Sequence, residues 1–494
     1  MKIFTTSQIR ELDSQTIERE PISSIALMER AADRMLQQFK KDFSFGKEVL
    51  ILAGPGNNGG DGLALGRMLI QIGYDVQVLL LHKGKLSPDC KTNKERLVEF
   101  FPDFFAEQTQ KFLPPEISSQ AVVVDALFGS GITRPLEGIF RDAAEWLNSI
   151  DNRVLSVDIP SGLDGETCVS KDDVIVRADS TYTLQFPKLA FLFPENERFV
   201  GNWKVIDIQL HPKAIAETST NYNYLGKKEI QDVLKSRSRF SHKGTFGHAL
   251  IWAGKKGMAG AAVLVSQSAL RAGAGLVSVH SGEENRVILQ TAVPEAIFVN
   301  ELNTLDNYNA FAFGPGLGTE KETAEMLFEL LKNLNRPCVL DADALNIIFN
   351  HQEFLDFIPA NTILTPHPKE FDRLFGHSKN SRERIEKASA KAQELQVIIV
   401  LKGANTLVAL PDGTYYFNST GNPGMAVGGM GDVLTGIIAG LLTQNYTPEE
   451  SALLGVFLHG LAGDLALSEQ SQESLLPRDV IKKLGAAFNL LRER

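Results

Sequence analysis

Two glycine-rich strings, GPGNNGGDG over 54–62 and NPGMAVGGMGD over 422–432, each stand at the start of helix-forming sequence. Glycine loses more freedom on ordering than any other residue, so such strings mark tight turns or close backbone approach. The first follows a short apolar run, 49–53, and leads into a helical pattern over 61–72. A strand passing through a glycine turn into a helix belongs to an α/β sheet, where ligands collect beyond the strand C-termini. The unpaired N–H groups of a helix start suit phosphate oxygens. The first string is not the GxGxxG dinucleotide fingerprint. It reads as an anion cradle or as a structural turn, with Asn57 and Asn58 as ligands or as turn formers.

The same alternation recurs along the chain. After helical periodicity over 6–40, apolar runs at 49–53, 76–81, 121–124 and 154–157 read as strands separated by turns and helices. A chain of 494 residues is too long for one ordinary core, so at least two domains are expected. The stretch 211–226 is polar and irregular and supplies the boundary. Beyond it strands are expected at 249–253, 276–280, 310–313, 338–341, 362–365, 397–401 and 406–410. A helix is expected at 258–272, and a largely helical end begins near 431.

Composition narrows the ligands. An apolar fraction of 43% and a charged fraction of 22% describe a globular chain. A formal charge of -10 argues against a broad nucleic-acid or anionic-membrane surface. Anionic ligands must then be held by backbone N–H groups and a few lysines. Cys90, Cys168 and Cys338 have the spacing of neither a disulfide framework nor a zinc site. The chain start turns polar too soon for a signal peptide. The most lipid-like late run, 433–442, is broken by Thr435, Gly436 and Gly440 and falls short of the ~20 residues a span needs. A cytoplasmic protein is expected.

In the first half, Asp125 and Asp158 each follow or end an apolar run, where a carboxylate faces the crevice of the sheet. One reads as a polar or cation ligand and the other as an acid/base, against a plain role in capping a helix or turn. Lys188 is the nearest later cation, and a solvated surface lysine is the simpler reading for it. The strings GPGNNGGDG, DALFGSG over 125–131 and DIPSGLDG over 158–165, in that order, resemble the NAD(P)H-hydrate epimerase family across 1–215. The resemblance implies a Rossmann-like three-layer α/β/α domain that interconverts R and S hydrates at nicotinamide C6. It implies substrate contacts from Asn57, Asn58, Gly59, Gly60 and Asp61, and from Gly129, Ser130, Gly131, Ile132, Thr133, Arg134 and Pro135. It also implies a potassium ion (K+) among Asn58, Asp125 and Ser161, with Asp158 as the acid/base. Oxygen ligands suit such a hard cation.

In the second half, Asp432 sits at a helix start beside successive glycines. It is placed to orient or deprotonate a hydroxyl attacking a phosphoryl group, or simply to cap the helix. His367 reads as a substrate contact or as a structural loop histidine. The KGANT turn over 402–406 reads as a phosphate contact or as a β-turn between antiparallel strands, and it is not a Walker A loop. FGPGLG, LDADALN, LTPHPKE, KGANT and GNPGMAVGGMGD, in this order, resemble the ADP-dependent NAD(P)H-hydrate dehydratase family, of ribokinase-like α/β fold, across 226–494. The resemblance implies that Ala261, Gly316, His367 and Asp432 meet the hydrated dinucleotide. Lys402, Gly403, Ala404, Asn405, Thr406 and Gly431 would meet the adenine nucleotide, with Asp432 as catalytic base. Magnesium (Mg2+) would screen the ADP phosphates. The C6 hydroxyl would take the terminal phosphoryl of ADP, and phosphate would leave as the ring double bond returns.

The resemblance as a whole implies repair of hydrated NADH and NADPH by a homo-oligomer, and the acidic charge with the lack of a long apolar run points to no nucleic-acid or membrane partner. The competing reading is a ribokinase-like small-molecule kinase fused to a non-catalytic nucleotide-binding interaction module, because a fold does not dictate chemistry. Release of phosphate and recovery of reduced-nicotinamide absorbance separate the two.

Overall fold

The computed structural model describes residues 1–132, 134–170, 173–302 and 305–493, so Thr133 of the implied substrate loop lies outside the described residues. The chain divides into two units. One holds Lys2–Thr220 with Asn380–Arg382, and the other holds Met1, Asn221–Lys379 and Glu383–Arg494.

The first unit is built on β1 (Glu48–Ala53), β2 (Asp75–Leu81), β3 (Phe105–Gln108), β4 (Val122–Ala126), β5 (Arg153–Val157), β6 (Ser180–Leu184) and β7 (Asn202–Ile206). The order is β3-β2-β1-β4-β5-β6-β7, and every pairing is parallel. The central β1 is apolar and buried from Val49 to Ala53, as a strand covered on both faces requires. The chain leaves β1 toward β2 on one side and returns to β4 on the other. This reversal opens a crevice beyond the ends of β1 and β4.

Two expectations change here. The periodicity over 6–40 is two helices, α1 (Thr6–Arg19) and α2 (Ser24–Asp42). Pro21 stands between them, and the Ser23 side chain accepts from Ala26 N to start α2 afresh. The next helix, α3 (Asn57–Gln71), begins before the expected 61, so residues 57–61 are its opening turns rather than a loop ahead of it. Its glycines let it lie close on the sheet. A Cβ at Gly62 would stand 2.5 Å from the Cβ of Ala126.

The second unit has a sheet of ten strands. These are β8 (Tyr222–Leu225), β9 (His248–Trp252), β10 (Leu276–His280), β11 (Ile297–Val299), β12 (Ala310–Phe313), β13 (Val339–Leu340), β14 (Ile363–Leu364), β15 (Ile398–Leu401), β16 (Leu407–Ala409) and β17 (Tyr415–Asn418). The order is β11-β10-β9-β12-β13-β14-β15-β16-β17-β8, with β16 antiparallel to both neighbours. A second reversal lies between β9 and β12. The stretch 211–226 is more ordered than its polarity suggests, since it contains the helix Pro212–Glu217 and the edge strand β8. Tyr222 stacks on Tyr415 at 4.8 Å and Leu225 is buried, which gives β8 a packed face. The apolar run 433–442 belongs to the helix Met430–Leu442, buried along nearly its whole length against the helix Ala259–Ala272. Among the described residues, no helix is long and apolar enough to cross a membrane.

Candidate active sites

In the first unit a cavity of about 710 Å³ lies at the switch point. The opening turn of α3 contributes Asn57, Asn58 and Asp61, and the loop after β4 contributes Gly129, Ser130, Gly131, Ile132 and Arg134. The N-cap of α3 is Gly56, which has no capping side chain, so the first N–H groups of the helix remain available to a ligand. Asp158 joins the lining from the end of β5. Its φ of +65° turns the chain sharply, held by Asp158 N donating to Tyr182 O at 2.7 Å and Ile159 N to Val157 O at 2.8 Å. Left-handed backbone at a non-glycine residue is typical of positions that must aim a functional side chain.

Lys188 is not a surface lysine. It is 1% exposed, and its Nζ donates to Asp158 Oδ1 at 2.7 Å, Thr183 Oγ1 at 3.0 Å and Phe186 O at 3.3 Å. A buried ammonium needs a counter-charge and acceptors for its protons, and this pocket supplies both. Two further carboxyls share the cavity. Burial, reinforced by Asp158 and opposed by Lys188, pushes Asp13 up to about 7. Burial, reinforced by Asp158, Asp13 and Asp89, lifts Asp61 well above the usual carboxylate range.

Not every implied residue meets the cavity. Gly59 and Gly60 serve packing: a Cβ at Gly59 would lie 1.8 Å from Gly54 O, and one at Gly60 would lie 2.7 Å from Met28 Sδ. Pro135 is exposed outside the lining. Asp125 and Ser161 are fully buried and lie outside the lining too. The Asp125 carboxylate accepts from Ser161 Oγ at 2.6 Å, Ser161 N and Ser156 Oγ at 2.8 Å, and Leu127 N at 3.3 Å. Burial raises Asp125 above the ordinary carboxylate range despite these donors. Asn58 is buried with its amide nitrogen unpartnered, and a Cβ on Gly129 would stand 3.4 Å from the Asn58 Cβ and 3.5 Å from Asp158 Oδ2.

In the second unit a cavity of about 480 Å³ is lined by Lys402, Gly403, Ala404, Thr406 and Gly431, with Met430, Leu434 and His459 beside them. Asn405 is outside the lining, as are Asp432, His367, Gly316 and Ala261. The segment 402–406 does connect antiparallel strands, β15 and β16. Lys402 Nζ donates to Asp341 Oδ1 at 2.8 Å and stands 3.8 Å from Glu370. Asp341 Oδ2 accepts from Thr435 Oγ1 at 2.7 Å. Burial works to raise Asp341, but Lys402 and these hydrogen bonds outweigh it and hold the carboxyl below its ordinary range. Asp432 behaves oppositely. Burial and then Asp341 push it up to about 7 against the pull of Lys402. Asp432 lies in the first turn of the helix Met430–Leu442, whose N-cap is Gly429, so it is not the cap.

Gly316 and Ala261 are neighbours at the second reversal, where a Cβ on Gly316 would stand 3.1 Å from the Cβ of Ala261. His367 is the N-cap of the helix Pro368–Phe375. Its Nδ1 accepts from Lys369 N at 3.1 Å and Glu370 N at 3.2 Å, a structural task that leaves Nε2 near Glu370 Oε1 at 3.4 Å. Sequence reasoning placed the LDADALN segment at the second site without giving Asp341 a role, and singled out neither Asp13 in the first unit nor Thr435 and His459 in the second as site residues. For Asp13 a signal existed: Thr6, Ile9, Arg10 and Asp13 follow helical spacing on the face of α1 that lines the cavity.

Two family models match the chain, the YjeF-related protein N-terminus over 24–190 and NAD(P)H-hydrate dehydratase over 249–485. A protein of Thermofilum pendens named bifunctional NAD(P)H-hydrate repair enzyme is 36% identical, covering 100% of this chain and 97% of its own length. One of the same name from Escherichia coli is 32% identical over 99% of this chain and 94% of its own. The chain belongs to the bifunctional NAD(P)H-hydrate repair enzyme family. A crystal structure of the ADP/ATP-dependent NAD(P)H-hydrate dehydratase from Bacillus subtilis, co-crystallized with ATP and Mg2+, is 32% identical. It covers 55% of this chain and 100% of that one with a TM-score of 0.50. A ribokinase-like superfamily protein from Enterococcus faecalis is 27% identical over 56% of this chain and 98% of its own, also with a TM-score of 0.50. The ribokinase-like architecture of the second half and the α/β architecture of both halves stand accordingly.

Proposed function

We propose that the first unit equilibrates the R and S hydrates of NADH and NADPH, and that the second dehydrates the S hydrate at the expense of ADP or ATP. The observation that carries this reading is the presence, in each unit, of a ligand-sized cavity at a sheet reversal or helix start with a buried or half-buried carboxylate beside a lysine.

In the first unit Asp158, held by Lys188, exchanges the proton of the C6 hydroxyl as that group leaves and returns. The uncapped start of α3 receives phosphate oxygens of the dinucleotide. The oxygens of Asp125 and Ser161 and the unpartnered Asn58 amide fit a hard monovalent cation, because an amide that rotates its oxygen inward loses no hydrogen bond. Potassium there would supply positive charge that offsets burial of the Asp125 carboxylate.

In the second unit Asp432 takes the proton of the C6 hydroxyl as it attacks the terminal phosphoryl group, and Lys402 with the helix-start N–H groups stabilises charge on the nucleotide. Phosphate then departs as the ring nitrogen restores the double bond. Magnesium bound with the nucleotide would neutralise phosphate charge, and Asp341 and Asp343, the carboxylates that act on Asp432 through space, would be the candidates to hold it. The cytoplasm, where ADP and reduced dinucleotides are at hand, is the proposed compartment, and a homo-oligomer the proposed assembly. A stereoresolved assay of both hydrates with ADP or ATP tests the division of labour. Asp158→Asn should block epimerisation and spare dehydration, and Asp432→Asn should do the reverse. Loss of both activities in either folded variant would refute it, and a stable phosphorylated product without phosphate release would favour a kinase.

A further inference from the structure

Inverting the hydroxyl at C6 requires a group to leave one face of the ring and water to add to the other. Asp158 is anchored on one wall: Lys188 Nζ at 2.7 Å and Leu184 N at 3.2 Å both bind Oδ1. Its Oδ2 lies on the substrate-loop side, 3.5 Å from where a Gly129 Cβ would stand. A carboxylate held in this way serves one face. A different element brings another carboxyl to the same cavity, since α1 lines it through Thr6, Ile9, Arg10 and Asp13. Among the described residues none forms a hydrogen bond or an ion pair with Asp13, on which Asp158 and Lys188 act through space.

We propose that Asp13 is a second catalytic carboxyl of the epimerase cavity, handling the proton on the ring face opposite Asp158. The proposal rests on the epimerase reading above. The protonated carboxyl gives its proton to the C6 hydroxyl, the C6–O bond breaks with its electron pair leaving on water, and the ring-nitrogen lone pair forms a C6=N bond. Water on the opposite face donates an oxygen pair to C6, the C6=N pair returns to nitrogen, and the other carboxylate takes the released proton. One water leaves and one adds, with no oxidant or net proton. The proton has moved from one carboxyl to the other, which primes the reverse reaction; another turnover in the same direction first requires the proton to return through solvent.

Asp158, Lys188 and Asp61 on α3 interact with Asp13 through space, and Arg10 on its own helix and Arg134 of the loop after β4 are the other charged groups of the cavity. Burial and Asp158 push Asp13 up to about 7, so protonated and ionised forms coexist near neutral pH. Both forms are required if one carboxyl is to give a proton while its counterpart receives one.

The test follows epimerisation of the purified R hydrate by the full chain without ADP, from about pH 5 to 9, with heavy-oxygen water reporting exchange at C6. Wild type, Asp13→Asn and Asp13→Glu are compared, with thermal unfolding to confirm folding. Asp13→Asn should lower kcat by about 100-fold or more, leave KM nearly unchanged, and remove the inflection near neutrality. Asp13→Glu should recover part of the rate and retain a displaced inflection. A kcat for Asp13→Asn within about threefold of wild type, or a slow variant keeping the wild-type inflection, overturns the proposal. If Asp13→Asn does not fold, an Asp13→Glu profile identical to wild type overturns it. A wild type that fails to epimerise overturns the epimerase reading and this proposal together; an active wild type with a normal Asp13→Asn overturns this proposal alone.

Discussion

Burial and Asp341 raise Asp432 to about 7 against the pull of Lys402, whereas an unfolded chain releases that proton near ~3.9. Between those values the folded state holds the extra proton, so stability contributed by this group declines as pH rises through the window toward 7. The same ionisation creates the base, so dehydration should climb with pH and level off above about 7. Asp432→Asn should abolish dehydration, read as nicotinamide absorbance. In urea unfolding it should be more stable than wild type near pH 8 by ~1 kcal/mol, a value discounted for solvent screening. That advantage should vanish near pH 4. Lys188 makes the converse case. Lys188→Met leaves the Asp158 carboxylate without its counter-charge and should cost about 3 kcal/mol together with epimerisation. Adding Asp158→Asn should recover much of the stability but none of the activity. Lys188 was not legible as a site residue, and Asp13 was legible only as one position on the amphipathic face of α1. Phe186-Pro187-Lys188 looks like any exposed turn until a carboxylate distant in sequence closes over it, and Asp13 hides in an amphipathic helix.

Helices and strands were read from short-range pattern, and the pattern held where burial was continuous. The apolar runs that became β1, β10 and β12 are buried central strands, whose composition speaks without knowledge of their neighbours. β8 was missed because its stability comes from pairing with β17 and from the Tyr222–Tyr415 stack, partners nearly two hundred positions away. The helix start at Asn57 was missed because glycine and asparagine disfavour helices, yet there Gly59, Gly60 and Gly62 permit close approach to Gly54, Met28 and Ala126. The same distinction divides the glycines near Asp432. A Cβ at Gly436 would lie 2.0 Å from Ser268 Oγ and 2.2 Å from Val265 O, whereas one at Gly428 would meet nothing within 4 Å. Alanine gains about 1 kcal/mol of helix propensity, but backbone overlap outweighs that gain. Gly436→Ala should therefore destabilise by about 2 kcal/mol in chemical denaturation, while Gly428→Ala should stay within ~0.5 kcal/mol of wild type.

At the scale of the whole chain, each unit has its own sheet and its own cavity, the first at the reversal between β1 and β4 and the second beside the 402–406 turn and the start of the helix Met430–Leu442, each lined by residues of one unit. The glycine strings located both halves of this plan, but the reversals themselves depend on strand order, a long-range property that local sequence does not display. Lining by a single unit has a kinetic consequence. If the S hydrate formed in the first cavity reaches the second by diffusion, the two sites need not belong to the same molecule. An equimolar mixture of Asp158→Asn and Asp432→Asn chains, given pure R hydrate and ADP, should then regenerate NAD(P)H completely. Its rate should match that of wild type at equal concentration of intact sites within about twofold. Asp158→Asn alone should leave R hydrate behind, and Asp432→Asn alone should yield only a mixture of R and S. A wild type at least about tenfold faster than the mixture would instead mean that the hydrate is handed between the two sites of one chain. Varying total protein separates the outcomes further, because a diffusing intermediate produces a lag that shortens as sites become more concentrated, and direct transfer produces none.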